Sequence, residues 1–181
     1  MDRVRPRGDA ALTSARNTAG RAVGSSSDHF AAVLSLPFSA FGIRLAGDVV
    51  DELVFLPPET PPSAPDCALA EQVALQIGRW LTDPEQPFEL PLAIRGTAFQ
   101  RRVWNAIAAI PLGEYRRYGA LASELHTAAR AVGQACGANP FPLVIPCHRV
   151  VSAAGLGGFA NATDGYLIDA KNWLLEFEAA H

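Results

Sequence analysis

Residues 97–138 read TAFQRRVWNAIAAIPLGEYRRYGALASELHTAARAVGQACGA, and their periodicity sets the architecture of the second half of the chain. Phe99, Val103, Ile107 and Ile110 recur every three or four residues behind Thr97, whose hydroxyl suits the free backbone amides of a helix N-terminus. That helix is predicted to stop at Pro111-Leu112-Gly113. Leu121, Ala122 and Leu125 suit a short second helix, and Thr127 reads as the cap of a third that runs from Ala128 to about Cys136. Together they have the pattern of a helix-turn-helix. Ala128, Ala129, Ala131, Gly133, Ala135, Gly137 and Ala138 leave the third helix almost no girth, so it can approach another backbone closely. That backbone is either a neighbouring helix or a nucleic-acid groove in which Arg130 and Gln134 supply the polar contacts.

Toward the N-terminus the pattern changes. The apolar runs Ala32 to Leu36, Phe41 to Leu45 and Val49 to Leu56, broken by Ser39, Gly42 and Gly47-Asp48, read as short hairpin-connected strands. After a proline-rich stretch, Leu69, Val73, Ile77 and Trp80 mark a helix that covers the sheet. Pro84, Pro87 and Pro91 interrupt a short acidic linker, which places a domain boundary near Leu92. The expected class is α/β in two domains. Residues 1–28 form a flexible tail rich in Arg, Ala, Gly and Ser, residues 29–92 a small antiparallel sheet with a covering helix, and residues 93–181 a mainly helical domain.

The chain of 181 residues is 49% hydrophobic and 18% charged, which is globular and excludes extensive disorder. No apolar run approaches the roughly 20 residues of a membrane span, and the first residues alternate Arg with Asp and Gly instead of forming a signal h-region, so a soluble, unsecreted protein is expected. Three cysteines (Cys67, Cys136, Cys147), without Cys-x-x-Cys spacing, suggest neither a disulfide framework nor a zinc cage, and a reducing cytoplasm fits them. The net charge of −3 conceals a basic section: residues 96–150 hold Arg101, Arg102, Arg116, Arg117, Arg130 and Arg149 against two Glu. A polyanion could be held there, although an ordinary solvated face has the same composition.

Chemistry concentrates in Phe141-Pro142-Leu143-Val144-Ile145-Pro146-Cys147-His148-Arg149-Val150-Val151, a thiol, an imidazole and a guanidinium between two strand-like apolar runs. A cysteine becomes nucleophilic when positive charge lowers its pKa or a base takes its proton, and both kinds of neighbour are present. In an extended segment adjacent side chains point apart, so His148 is expected to reach Cys147 through water or after a turn. Glu178 on the C-terminal helix is a candidate to orient the imidazole, with Glu176 the competing choice. On these residues alone, a buried structural Cys beside a surface His is the favoured reading.

The order Gly96-Thr97-Ala98-Phe99-Gln100, Val103-Trp104, Ile110-Pro111-Leu112-Gly113, Tyr118, Ala129-Arg130-Ala131-Val132-Gly133, Asn139-Pro140, Ile145 through Val151, Gly157-Gly158-Phe159 and Lys171 through Glu178 resembles the O6-alkylguanine-DNA alkyltransferase family. The likeness is dense over residues 96–178 and loose over 28–92. It implies a ribonuclease-H-like N-terminal domain, then a winged helix-turn-helix domain that binds double-stranded DNA carrying O6-alkylguanine. It implies that Cys147 irreversibly accepts the alkyl group, that His148 takes its proton through a water while Glu178 holds the ring, and that Tyr118 protonates the leaving guanine. Asn139 would tie the recognition helix to the reactive loop. Arg130 would fill the stack vacated by the flipped nucleotide, with Ala129, Gly133 and Gln134 beside it in the groove, and Val150, Phe159 and Trp104 would shape the substrate pocket. A monomer without metal or other cofactor is implied. The sequence departs from the family in its short Leu125-His126-Thr127 turn, in Phe159 where many members carry Tyr, and in Asn161 to Tyr166, where a Gly-Gly pair is usual. Cys136 reads as a small packing residue. Competing readings are a lesion-binding relative without transfer, a winged-helix regulator, and a cysteine hydrolase that uses Cys147 and His148.

Overall fold

The structure, a computed structural model, describes residues 29–181. The expected flexible tail over residues 1–28 lies outside the described residues. Strands β1 (Ala32–Leu36), β2 (Ser39–Ala46) and β3 (Val49–Leu56) form an antiparallel sheet in that order. Ser39 and Gly42, read as breakers, lie inside β2; the turn is Pro37-Phe38, and Gly42 keeps its strand position because a Cβ there would meet the Phe30 ring at 2.4 Å. Helix α1 (Ala68–Trp80) covers the sheet with Ala70, Val73, Ile77 and Trp80, the predicted stripe shifted by one residue at its start.

The outer edge of β3 carries the chain into its second half. Its Val50 pairs with the prolyl segment through Pro91 and Ala93, and the Leu53 N–H donates to the Pro140 carbonyl at 2.8 Å. An edge strand that offered those groups to solvent would invite pairing with another chain; here they hold the loop that leads to Cys147. Asp51, buried on β3, is ion-paired with Arg95 beyond the linker.

Helix α2 (Ala98–Ala108) begins at a full capping box, in which Thr97 accepts from the Gln100 N–H and Gln100 reaches back to the Thr97 N–H, as the sequence predicts for the cap. After β4 (Arg116–Arg117) come α3 (Tyr118–Glu124) and α4 (Ala129–Gly137). Thr127 does not cap α4. Its N–H is engaged by the Ala122 carbonyl at 2.8 Å, closing the end of α3, and Ala128 takes the cap position without a side-chain bond. The left-handed His126 (φ 50°) makes this connection as short as the sequence indicates.

The Phe141–Ile145 run, read as strand-like, is a chain of turns with Leu143 left-handed (φ 72°), and Cys147–Arg149 is one turn of 3₁₀-helix. Burial from all sides, not strand pairing, accounts for its apolar character. Strand β5 (Val150–Val151) then pairs in parallel with β4, and α5 (Tyr166–Ala179) returns across the molecule. Its rings meet the sheet layer, with Trp173 4.8 Å from Phe38 and Phe177 5.3 Å from Trp80. The buried apolar residues of both halves form one contiguous cluster. Among the described residues no helix is long and apolar enough to cross a membrane.

Candidate active site and nucleic-acid interface

Three elements converge on Cys147. The first is the turn anchored by Asn139: its Oδ1 accepts from the Phe141 N–H at 3.0 Å, while Nδ2 donates to the Ile145 carbonyl at 2.9 Å and to the Cys147 Sγ at 3.1 Å. One amide thus fixes both the loop and the sulfur. The second is the end of α4, which brings Cys136 against the Cys147 thiol. Cys136 packs, as the sequence suggests, but it also touches the reactive group.

The third is α5. Glu178 accepts from His148 Nε2 at 2.8 Å and takes both Arg149 Nε at 2.7 Å and an Arg149 terminal nitrogen at 2.8 Å. Glu176 is exposed and bonded by Asn172, which decides between the two candidates. The carboxylate can only accept, so Nε2 carries the ring proton and Nδ1 is left as the basic nitrogen. Arg149, counted in the sequence with the basic face, is instead an internal clamp that also donates to the Ile110 carbonyl at 2.6 Å.

Lys171 is a further site residue that sequence reasoning did not single out. Fully buried, it donates to the carbonyls of Val150 (2.7 Å), Leu156 (2.7 Å) and Gly158 (3.0 Å), gathering the segment after Cys147 around one ammonium. The signal is in the sequence: Leu167, Lys171, Leu174 and Glu178 share one helical stripe, and two charges on a core-facing stripe call for partners.

The electrostatics describe a site at rest. Burial pushes the Cys147 thiol up, the Cys136 thiol adds to this, and the Asn139 amide and Lys171 ammonium pull it down by less. Burial lowers His148, outweighing the upward pull of Glu178. Burial alone would raise Glu178, yet the bonds from His148 and Arg149 hold it at about 2. Burial lowers Lys171 to about 8, against the pull of the two thiols. At neutral pH a protonated thiol therefore sits beside a neutral imidazole that is braced by a carboxylate. Tyr118, whose hydroxyl donates to the Gly158 carbonyl at 3.2 Å, is raised by burial and stays protonated. Its ring lies between Gly133 and Gly157, where Cβ atoms would stand 4.0 and 3.2 Å away.

A cavity of about 230 Å³ opens on Cys147, lined by Cys136, Asn139, Pro142 and Phe159 together with β3 residues. Of the three expected pocket residues, Phe159 lines it. Trp104 and Val150 do not: the indole is buried with its N–H on the Ala135 carbonyl at 2.8 Å, and Val150 is fully buried in β5. Two larger grooves, of about 700 and 520 Å³, run along α1 and include none of the site residues.

Helix α4 answers the question left by its small residues, because it has two faces. Val132, Ala135 and Cys136 are buried, and Ala135 is small enough for Trp104 to reach its carbonyl. Ala129, Arg130 and Gln134 are exposed and Gly133 is half-buried, on the face turned outward. Arg116 and Arg117 of β4 are exposed as well, Arg116 lying 3.6 Å from the Glu124 carboxylate; Arg101 and Arg102, also exposed, donate to the carbonyls of Gly96 and Leu125.

Comparison with known proteins bears on this arrangement. Residues 98–180 match the family model described as 6-O-methylguanine DNA methyltransferase, DNA binding domain. A methylated-DNA–protein-cysteine methyltransferase of Mycobacterium bovis is 38% identical over 139 residues, covering 73% of this chain and 81% of that protein. One from Mycolicibacterium paratuberculosis is 43% identical over 109 residues, covering 59% of this chain but only 63% of that protein. A solved structure of Mycobacterium tuberculosis OGT in complex with DNA superposes with a TM-score of 0.68 at 35% identity, covering 82% of this chain and 91% of that one.

Proposed function

Because this chain belongs to the methylated-DNA–protein-cysteine methyltransferase family, we propose that it repairs DNA by moving the alkyl group of O6-alkylguanine onto its own Cys147, once per molecule. The observation that carries this reading is the buried Cys147 thiol, facing a cavity and held beside the Glu178-braced imidazole of His148.

The α3–α4 pair acts as a helix-turn-helix, β4 and β5 form part of its wing, and the outward face of α4 enters the groove of double-stranded DNA. Small side chains at Ala129 and Gly133 let the helix backbone approach the duplex, and Gln134 supplies a polar contact. Arg116 and Arg117 reach phosphates, a salt-sensitive contribution. An O6-alkyl group sits inside the base stack, so the nucleotide must be extruded at a cost of a few kcal/mol, less for a mispaired base. Arg130, exposed near the start of α4, fills the vacated stack.

The proton of Cys147 passes across one water to Nδ1 of His148, and Glu178 stabilises the imidazolium that forms. The sulfur then attacks the alkyl carbon in line. A C–S bond forms, the C–O6 bond breaks with its electron pair going to guanine, and Tyr118 protonates the guanine ring. Return of the His148 proton to Tyr118 through solvent leaves an unalkylated guanine still joined to its deoxyribose and a neutral thioether. Asn139 holds the sulfur at its position in the loop, and Phe159 borders the base. A thioether has no carbonyl for water to attack, so nothing regenerates Cys147, in contrast to the thioester of a cysteine hydrolase. The protein works as a monomer on this reading, since the DNA face and the acceptor lie on one chain.

The test is stoichiometry. Radiolabelled O6-methylguanine duplex in excess should deliver label to a plateau of one methyl per protein. Continued turnover, or cleavage of an ester beyond one equivalent, would favour the hydrolase reading instead.

A further inference from the structure

The loop after the acceptor segment holds a contact for which the transfer chemistry has no use. Phe159 and Ala162 exchange both backbone hydrogen bonds, at 2.9 and 2.8 Å, around Ala160 and Asn161. Both central residues are left-handed, with φ of 47° and 64°. Such a two-residue turn requires that hand at both positions, which Asn tolerates and Ala resists. The Asn161 side chain reaches α4, and its Nδ2 donates to the Gly137 carbonyl at 2.9 Å. Gly137 is the last residue of α4, so its carbonyl lacks an acceptor role inside the helix and is open to an outside donor. The approach is so close that a Cβ on Gly137 would stand 2.0 Å from Asn161 Oδ1.

One end of this bond, Gly137, lines the cavity of about 230 Å³ that opens on Cys147, and the other end follows directly on Ala160, which lines it too, with Phe159 beside Ala160. We propose that the Asn161–Gly137 hydrogen bond is a latch that sets the size of the alkyl group Cys147 can receive. This rests on the transfer reading above. The cavity is smaller than the roughly 300–1,000 Å³ of clefts that enclose drug-sized ligands, so a base carrying a bulky arylmethyl group fits only when the loop parts from α4. A methylated base makes a smaller demand. The bond is solvent-exposed and yields readily, while Phe159 remains anchored in the core with its ring 5.2 Å from that of Phe55. Asn161 is therefore a positioning residue; it touches neither the sulfur nor the base.

The latch can be opened from either end. Asn161→Gly removes the amide and keeps a residue suited to φ 64°, while Gly137→Ala intrudes on Asn161 at a helical position that accepts alanine. Transfer rates of the full chain are measured on matched duplexes carrying O6-methylguanine or O6-benzylguanine, with melting temperatures as a check on folding. The benzyl-to-methyl rate ratio should rise roughly fivefold in each single variant, the scale of one exposed hydrogen bond. It should rise no further in the double variant, because both substitutions break the same bond. A merely structural role would lower both rates together. An unchanged ratio in either variant, or effects that multiply in the double variant, would overturn the latch while leaving the transfer reading intact. A wild-type protein that transfers no methyl group would defeat the transfer reading itself, and the latch with it.

Discussion

Replacing Glu178 by Gln keeps the size of the side chain and removes its charge, which isolates the electrostatic role of the His148–Glu178–Arg149 cluster. The carboxyl is held at about 2 against an ordinary 4.5. At about 1.4 kcal/mol per tenfold change in proton affinity, that difference amounts to roughly 3 kcal/mol of folding stability. The group is only 1% exposed, so solvent screening takes little from this figure. For a carboxylate whose folded pKa is depressed, the stabilisation is fully present above the unfolded value of 4.5 and is lost as pH falls toward about 2. Urea unfolding of wild type and Glu178→Gln should therefore differ by about 3 kcal/mol near pH 7, with a Tm lower by roughly 6–12 °C. The difference should shrink to under half by about pH 3. A gap that stays constant across that range, or one below about 1 kcal/mol at neutral pH, would refute the claim that the ionised carboxylate braces this cluster.

Other consequences are open to measurement. Cys136→Ala removes a neighbour that raises the Cys147 thiol, so the rising limb of the pH–rate profile for transfer should move to lower pH; an unmoved limb would mean the two thiols do not communicate. Lys171→Met strips the donor from three carbonyls and should cost at least about 3 kcal/mol in chemical denaturation, whereas a loss under about 1 kcal/mol would show those carbonyls to be satisfied otherwise. Arg130→Ala should slow repair of duplex roughly tenfold or more while sparing single strands, because a stack needs replacing only where one exists; equal slowing on both substrates would contradict an intercalating role.

Much of this molecule is legible in the sequence because its elements obey local rules. Thr97 and Gln100 sit at the spacing of a capping box, and α2 starts there. The stripe through Val73, Ile77 and Trp80 becomes the buried face of α1. Legibility fails where distant groups override local preference. Thr127 looks like a cap, but its amide is taken by Ala122, one helix back. Phe141 to Ile145 is apolar enough for a strand, yet Asn139 folds it into turns by bonding across it. Arg149 counts as surface charge until α5, contributed from much later in the chain, lays Glu178 against it. The site was readable as a set of residue types; the clamp by Arg149, the tether by Lys171 and the nearness of Cys136 to the sulfur depend on three segments meeting, which no single stretch encodes.

The central claim is that Cys147 itself receives the alkyl group. Incubating the protein with duplex DNA carrying O6-methylguanine, then digesting it and weighing its cysteine peptides, tests residue, reaction and substrate together. The peptide containing Cys147 should gain the mass of one methyl group while those of Cys67 and Cys136 stay unchanged. An unmodified Cys147 peptide, or a methyl group on another cysteine, would contradict the account.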